Sequence, residues 1–89
     1  MKAIITVIGK DTVGILAKVS DACARANVNI VEVTQSVLQD MFAMIMLVDI
    51  DKASLGFEEL RESLNKVGEN TNTKIHIMHE DIFNSMHKI

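Results

Sequence analysis

The sequence predicts an α+β domain on the split βαβ, or ferredoxin-like, plan: a four-stranded antiparallel sheet with two helices on one face, plus a short C-terminal helix. Three observations predict it. Runs of β-branched and apolar residues alternate with stretches of helical spacing in the order β-α-β-β-α-β. Gln39-Asp40 leaves just enough chain between the second and third apolar runs for a hairpin turn. The chain has 89 residues, 48% of them hydrophobic, which makes a single domain with a thin core. Residues 1–79 complete the plan, and residues 80–89 form an extension beyond it.

Residues 3–8 are β-branched and apolar at alternate and intervening positions, which suits a central strand buried on both faces. Gly9-Lys10-Asp11-Thr12 ends that run. Ile15, Leu16, Val19, Ala22, Cys23 and Ala26 then recur at helical spacing. Asp11 or Thr12 supplies a cap oxygen at the start of this helix, and Arg25 and Asn27 suit its C-terminal end. A second strand, rich in Val and Ile, covers residues 29–38, and a third covers residues 41–50. In the third, Phe42, Met44, Met46, Val48 and Ile50 share one face, and Met41, Ala43, Ile45 and Leu47 share the other. Phe57, Leu60, Leu64 and Val67 mark a second amphipathic helix, with Ser54 as its cap, Glu62 and Lys66 as an i,i+4 pair, and Gly68 as its stop. The fourth strand spans residues 73–79. Ile82, Phe83, Met86 and Ile89 form a helical stripe in the tail, with Glu80 and Asp81 at its start and Lys88 at its end, as the helix dipole favours. Right-handed crossovers place strands one and three in the centre and both main helices on one face.

Composition narrows the function. Nine Lys and Arg against twelve Asp and Glu give a net charge of −3, with no basic run, so nucleic acid is not an expected partner. Phe42, Phe57 and Phe83 are the only aromatic residues, too few to stack bases on a sheet. One cysteine, Cys23, forms neither an internal disulfide nor a multi-cysteine metal site. The apolar run near Lys2 is too short for a secretory signal, and no stretch approaches the ~20 apolar residues of a membrane span. The expected location is the cytoplasm.

No catalytic constellation emerges, and neither an enzymatic activity nor a cofactor is expected. His76 and His79 lie three apart on a strand and point to opposite faces, and His87 sits in the tail, so no metal site is expected. Cys23 lies on an apolar stripe with no charged partner and reads as a core residue. Met41, Met44 and Met46 read as adaptable packing. An acylphosphatase-like enzyme needs an arginine by the first loop, and the nearest is Arg25 at the far end of the helix.

The third strand does not alternate apolar with polar, although two helices cover one face of a four-stranded sheet and leave the other wet. An exposed Met41, Ile45 and Leu47 would form an apolar patch of the sort that marks an interface. Another subunit, the C-terminal helix, or both are expected to cover it. The chain is therefore expected to be a homo-oligomer, most simply a dimer.

The loop Gly9-Lys10-Asp11-Thr12-Val13-Gly14-Ile15-Leu16 stands out. Gly14 at a helix start costs about 1 kcal/mol relative to Ala, which makes sense where a ligand or a neighbouring backbone comes close. The first N–H groups of the helix are free donors suited to a carboxylate or phosphate. A plain turn into a helix is the competing reading of the same residues.

This loop, the helix through Ala26, and Asn27-Val28-Asn29-Ile30 together resemble the ACT domain, a small-molecule-sensing module of ferredoxin-like fold. The resemblance covers residues 1–79 and is strongest to small stand-alone bacterial ACT proteins, akin to the modules of the glycine cleavage system repressor. It implies a regulatory module that binds an amino acid or similar metabolite between the loop of one chain and the second strand of another. By position, Asp11, Val13, Gly14, Ile15 and Leu16 would line one wall, and Asn29, Ile30 and Val31 the other. It implies backbone N–H groups around Gly14 for an α-carboxylate, and Asp11 or the Asn29 side-chain oxygen for the ammonium. A protein-interaction module with no metabolite ligand, acting on a regulated partner protein through its apolar sheet face or an edge strand, is the alternative.

Overall fold

A computed structural model describes residues 1–10 and 14–86. Its elements are β1 (Lys2–Lys10), α1 (Ile15–Arg25), β2 (Asn29–Leu38), β3 (Met41–Asp49), α2 (Phe57–Thr71), β4 (Thr73–His79) and α3 (Glu80–Met86). They form one antiparallel sheet in the order β2-β3-β1-β4, with β1 and β3 in the centre. This is the βαββαβ ferredoxin-like plan.

The core lies between the sheet and the helices α1 and α2. Ala3, Ile5 and Val7 of β1, Met44, Met46 and Val48 of β3, and Ile75 and Ile77 of β4 are buried. They meet Ile15, Val19, Ala22 and Cys23 of α1 and Leu60 and Leu64 of α2. Each fully buried Ile, Leu, Val or Met side chain contributes about 1.5–3 kcal/mol, so this layer holds the domain together. Met44 and Met46 lie within the core, as their spacing predicts, and Met41 lies on the opposite face, 44% exposed.

The chain turns corners mostly on residues that tolerate a left-handed backbone. Asn27 ends α1 at φ 57°, and its N–H and that of Val28 bond back to the carbonyls of Ala24 (3.1 Å) and Cys23 (2.8 Å). These two bonds satisfy carbonyls that the helix end leaves open. The Asn27 side chain also donates to the Lys52 carbonyl at 2.7 Å, and the Ser54 N–H bonds the Ala26 carbonyl at 2.8 Å. The loop after β3 is thus tied to the end of α1. The β2–β3 hairpin turns at Gln39, with φ 59°, where glycine or asparagine would be less strained.

Three local expectations are corrected. The cap position of α1 is Gly14, with φ 86°, and not Asp11 or Thr12, which lie outside the described residues. Gly14 stands before the helix, so the helix-interior cost of glycine does not apply to it. The cap position of α2 is Gly56, not Ser54; the Glu59 carboxylate accepts the Gly56 N–H at 3.2 Å and closes the first turn. Finally, α2 does not stop at Gly68. It runs on to Thr71, and Asn72, with φ 56°, is the single residue between α2 and β4. Gly68 is buried where the helix crosses β4, and a Cβ there would stand 2.9 Å from the Thr73 carbonyl oxygen. The glycine allows close approach. Nearby, the buried Thr71 and Thr73 hydroxyls bond each other at 2.8 Å, and Thr71 donates to the Val67 carbonyl at 2.8 Å.

The helix-surface ion pairs among the described residues are Asp21–Arg25 (2.7 Å) and Glu58–Arg61 (3.4 Å), in place of the expected Glu62–Lys66. His79 is not simply solvated. It points to the helix side and stacks on Phe57, ring centroids 4.4 Å apart, with the Arg61 guanidinium 5.5 Å from the Phe57 ring centroid.

The packing leads to three predictions. Gly68→Ala improves helix propensity yet drives a methyl group into the β4 backbone. It is expected to destabilise by about 1–3 kcal/mol in urea denaturation. Burial pushes the Cys23 thiol up to about 11 from its ordinary value of 9.0. Its reaction with an aromatic disulfide reagent at pH 8 should therefore be slow in the native protein and fast in urea. The thiol of the unfolded chain ionises first, so stability should fall as pH rises above 9.

Candidate functional site

β1 delivers the chain to the start of α1, and α1 carries it back along the sheet to the start of β2. The two groups of site residues therefore lie at opposite ends of the molecule. Gly14 follows Lys10, which pairs with Met41, whereas Asn29 pairs with Asp49, which in turn pairs with Lys2. Lys2 and Lys10 are eight residues apart on β1, or about 26 Å at ~3.3 Å per residue. Within one chain the structure does not bring the two groups together.

At the first end, the left-handed backbone of Gly14 turns the chain into α1. A Cβ on Gly14 would meet nothing within 4 Å, so the glycine serves the backbone angle and not a close approach within its own chain. The first bond of the helix runs from the Lys18 N–H to the Gly14 carbonyl at 3.0 Å. The N–H groups of Ile15, Leu16 and Ala17 precede it and have no acceptor within the helix. No acidic residue stands in the first turn, so the partial positive charge of this helix end is not offset there. The Ile15 side chain is buried in the core, which leaves its backbone N–H to the site, whereas Leu16 is 37% exposed. Asp11 and Val13 lie outside the described residues.

At the second end, Asn29 is exposed and Ile30 is half-buried against the core. Val31 sits at an irregularity in the β2–β3 pairing between Ile30 and Glu32, and it is 49% exposed. The irregularity adds one residue to the edge strand and turns Val31 outward. An open depression of about 470 Å³ lies beside Asn29, lined also by Ala24, Asn27, Val28, Asp49, Asp51 and Lys52. Its carboxylates are already engaged: the Met1 amino group donates to Asp51 and stands 4.0 Å from Asp49, which accepts the Asp51 N–H at 2.9 Å. The pairing of Asn29 with Asp49 puts polar chemistry at this end, and no feature of the local sequence pattern marked Asp49 or Asp51 as its neighbours.

The histidines do not converge. His76 is exposed on the face away from the helices, while His79 lies on the helix side; His87 lies outside the described residues. Among the described residues, no cluster of three or more His, Cys, Asp or Glu side chains is placed to hold a metal ion. No helix among them is long and apolar enough to cross a membrane.

Comparisons with known proteins identify the family and the fold. A family model described as the ACT domain matches residues 2–78. A UPF0237 protein of Listeria innocua is 47% identical over 89 residues, covering 100% of both chains. Among solved structures, an ACT domain protein from Streptococcus pneumoniae superposes with a TM-score of 0.82 at 41% identity, covering 98% of each chain. The regulatory subunit of aspartate kinase from Thermus thermophilus superposes with a TM-score of 0.66 at 25% identity, over 86% of this chain and 50% of that one. The chain belongs to the ACT domain family.

Proposed function

We propose that this protein is a non-catalytic regulatory module that senses an amino acid, or a small metabolite of like chemistry, between two copies of the chain in the cytoplasm. One observation carries the reading. The start of α1 and the start of β2 lie at opposite ends of the sheet, and β2 is an exposed edge strand of ten residues. Two β2 edges paired antiparallel about a two-fold axis bring Asn29, Ile30 and Val31 of one copy toward Gly14, Ile15 and Leu16 of the other. Each such pair of chains then holds two equivalent sites.

The edges differ in their fitness for this pairing. β2 carries a single charged residue, Glu32, and exposes Val31 and Val37. β4, the other edge, is seven residues long and carries Lys74, His76 and His79. Lysine on an edge strand opposes pairing with another chain. In the β2 pair, the free N–H groups of Ile15, Leu16 and Ala17 receive the α-carboxylate. Asp11 or the Asn29 side-chain oxygen receives the ammonium group, and Leu16 and Val31 face the ligand's side chain. A ligand held by both copies binds the paired state better than the separated one, and that difference is what it transmits to a regulated protein partner. The name of the aspartate kinase regulatory subunit, a structural neighbour, supports a regulatory role.

A pure protein-interaction module is the second reading, and the exposure of Ile8, Met41 and Ile45 on the sheet favours it. A dye-based thermal-shift screen against the amino acids separates the two. A ligand at 100 times its dissociation constant stabilises by about 2.7 kcal/mol, which in so small a domain raises the melting temperature by roughly 10–20 °C. The expected result is a shift with one class of amino acid, lost in Gln35→Lys, since lysine on an edge strand opposes pairing with another chain. A screen in which no amino acid shifts the transition rejects the sensing reading. Gly14→Ala should cost about 1–2 kcal/mol in denaturant because of its left-handed backbone. Gly14→Asn should cost less, since asparagine tolerates that region.

A further inference from the structure

The face of the sheet away from α1 and α2 is half covered. On β1 the residues of this face are Ile4, Thr6 and Ile8, alternating with the core-facing Ala3, Ile5 and Val7. Ile4 is 7% exposed, and α3 packs against β1 and β4 at that end. Ile8 is 47% exposed, and beside it Met41 and Ile45 of β3 are 44% and 43% exposed. One half of the face therefore lies under α3 and the other half is bare. α3 has an unsatisfied side of its own, because Ile82 is 52% exposed.

The register makes these halves complementary. Thr6 pairs with Ile45 on one side and His76 on the other. On one side of that rung lies Ile4, between Leu47 and Met78, and on the other lies Ile8, between Ala43 and Lys74. A two-fold axis crossing the strands at Thr6 carries the rung of Ile4 onto the rung of Ile8, and so exchanges the covered half for the bare one. The same axis carries the pair Ala3–His79 onto the pair Gly9–Thr73. α3 begins at Glu80, immediately after His79, so the partner's Glu80 and the partner's Asp81 arrive beside Lys74.

We infer that α3 of a second copy of this chain seats on the bare half of the sheet, covering Ile8 and Ile45 with its exposed Ile82 while its acidic first turn meets Lys74. The occupant is argued from three features together. The identical helix already seats on the other half of the same sheet, its charge is opposite to that of the edge it approaches, and the contact is closed because each copy gives and receives one helix. The two α3 helices then lie side by side between two sheets. This contact uses the sheet face and is separate from the β2 edge pairing, so the two together assemble four chains.

Mass measurement by light scattering on the eluting protein tests the inference. Wild-type protein is expected as a tetramer. Ile82→Glu and Ile45→Glu, both at exposed positions, should each halve the mass with an unchanged circular dichroism spectrum. Lys74→Glu should also halve it, and Lys74→Glu combined with Asp81→Lys should restore it, an outcome that general destabilisation does not produce. If the edge pairing alone is wrong, wild-type protein is a dimer that Ile82→Glu converts to monomer and Gln35→Lys leaves unchanged. Wild-type mass retained in both Ile82→Glu and Ile45→Glu overturns the inference. So does a monomeric wild type, or a rise in mass on removing residues 87–89, which would show that the chain's own tail covers the patch.

Discussion

The burial of Ile5, Val7, Met44, Met46 and Val48 beneath α1 and α2 is the interaction on which the rest of the structure depends. It places β1 and β3 adjacent and central, with α1 against β2 on one side and α2 against β4 on the other. It also requires α2 to lie close over β4, which Gly68 permits by presenting no side chain to the Thr73 carbonyl. That closeness lets α2 continue to Thr71 and shortens the link to β4 to Asn72 alone. A helix stop and a helix contact thus trade places at one glycine.

The same layer separates the ends of the molecule. Because α1 runs back along the sheet to bury Ile15, Val19 and Cys23, it carries the chain away from Gly14 and returns it at Asn29. Donors for an anion collect at one end, and the polar side chains of Asn29, Asp49 and Asp51 collect at the other. A module so built has its chemistry divided between two surfaces. Under the proposed sensing role, its response to a ligand would depend on how copies meet.

Much of this was legible in the sequence. The order of elements, the central place of β1 and β3, and the inward faces of β3 and α2 all follow from periods of 2 and 3.6 residues, which record the dry side of each element directly. The failure of β3 to alternate announced a second apolar face, and Ile45 and Met41 bear it out by their exposure. Helix ends were harder to read. Ser54 has the chemistry of a cap, but the helix begins beyond Gly56 because the β3–α2 loop is held to α1 through Asn27 and Ala26. Gly14 and Gly68 are identical as letters: one serves a φ of 86°, and at the other a Cβ would stand 2.9 Å from the Thr73 carbonyl oxygen. Local spacing does not tell those uses apart. Of the candidate site, the loop around Gly14 and the Asn29 strand were legible through their resemblance to a family. Asp49 and Asp51 were not, because they reach Asn29 by strand pairing and not by proximity in the chain.

By itself, the sequence determined the number, kind and order of the elements and the existence of a second apolar sheet face, since each is a property of short windows of residues. Only the tertiary structure decided how that face is shared, with Ile4 buried under α3 and Ile8 and Ile45 left bare. Ile4 and Ile8 have the same residue type, strand and parity, so no local pattern distinguishes them. What distinguishes them is where the chain returns after β4, and that is set by the Ala3–His79 pairing across the sheet.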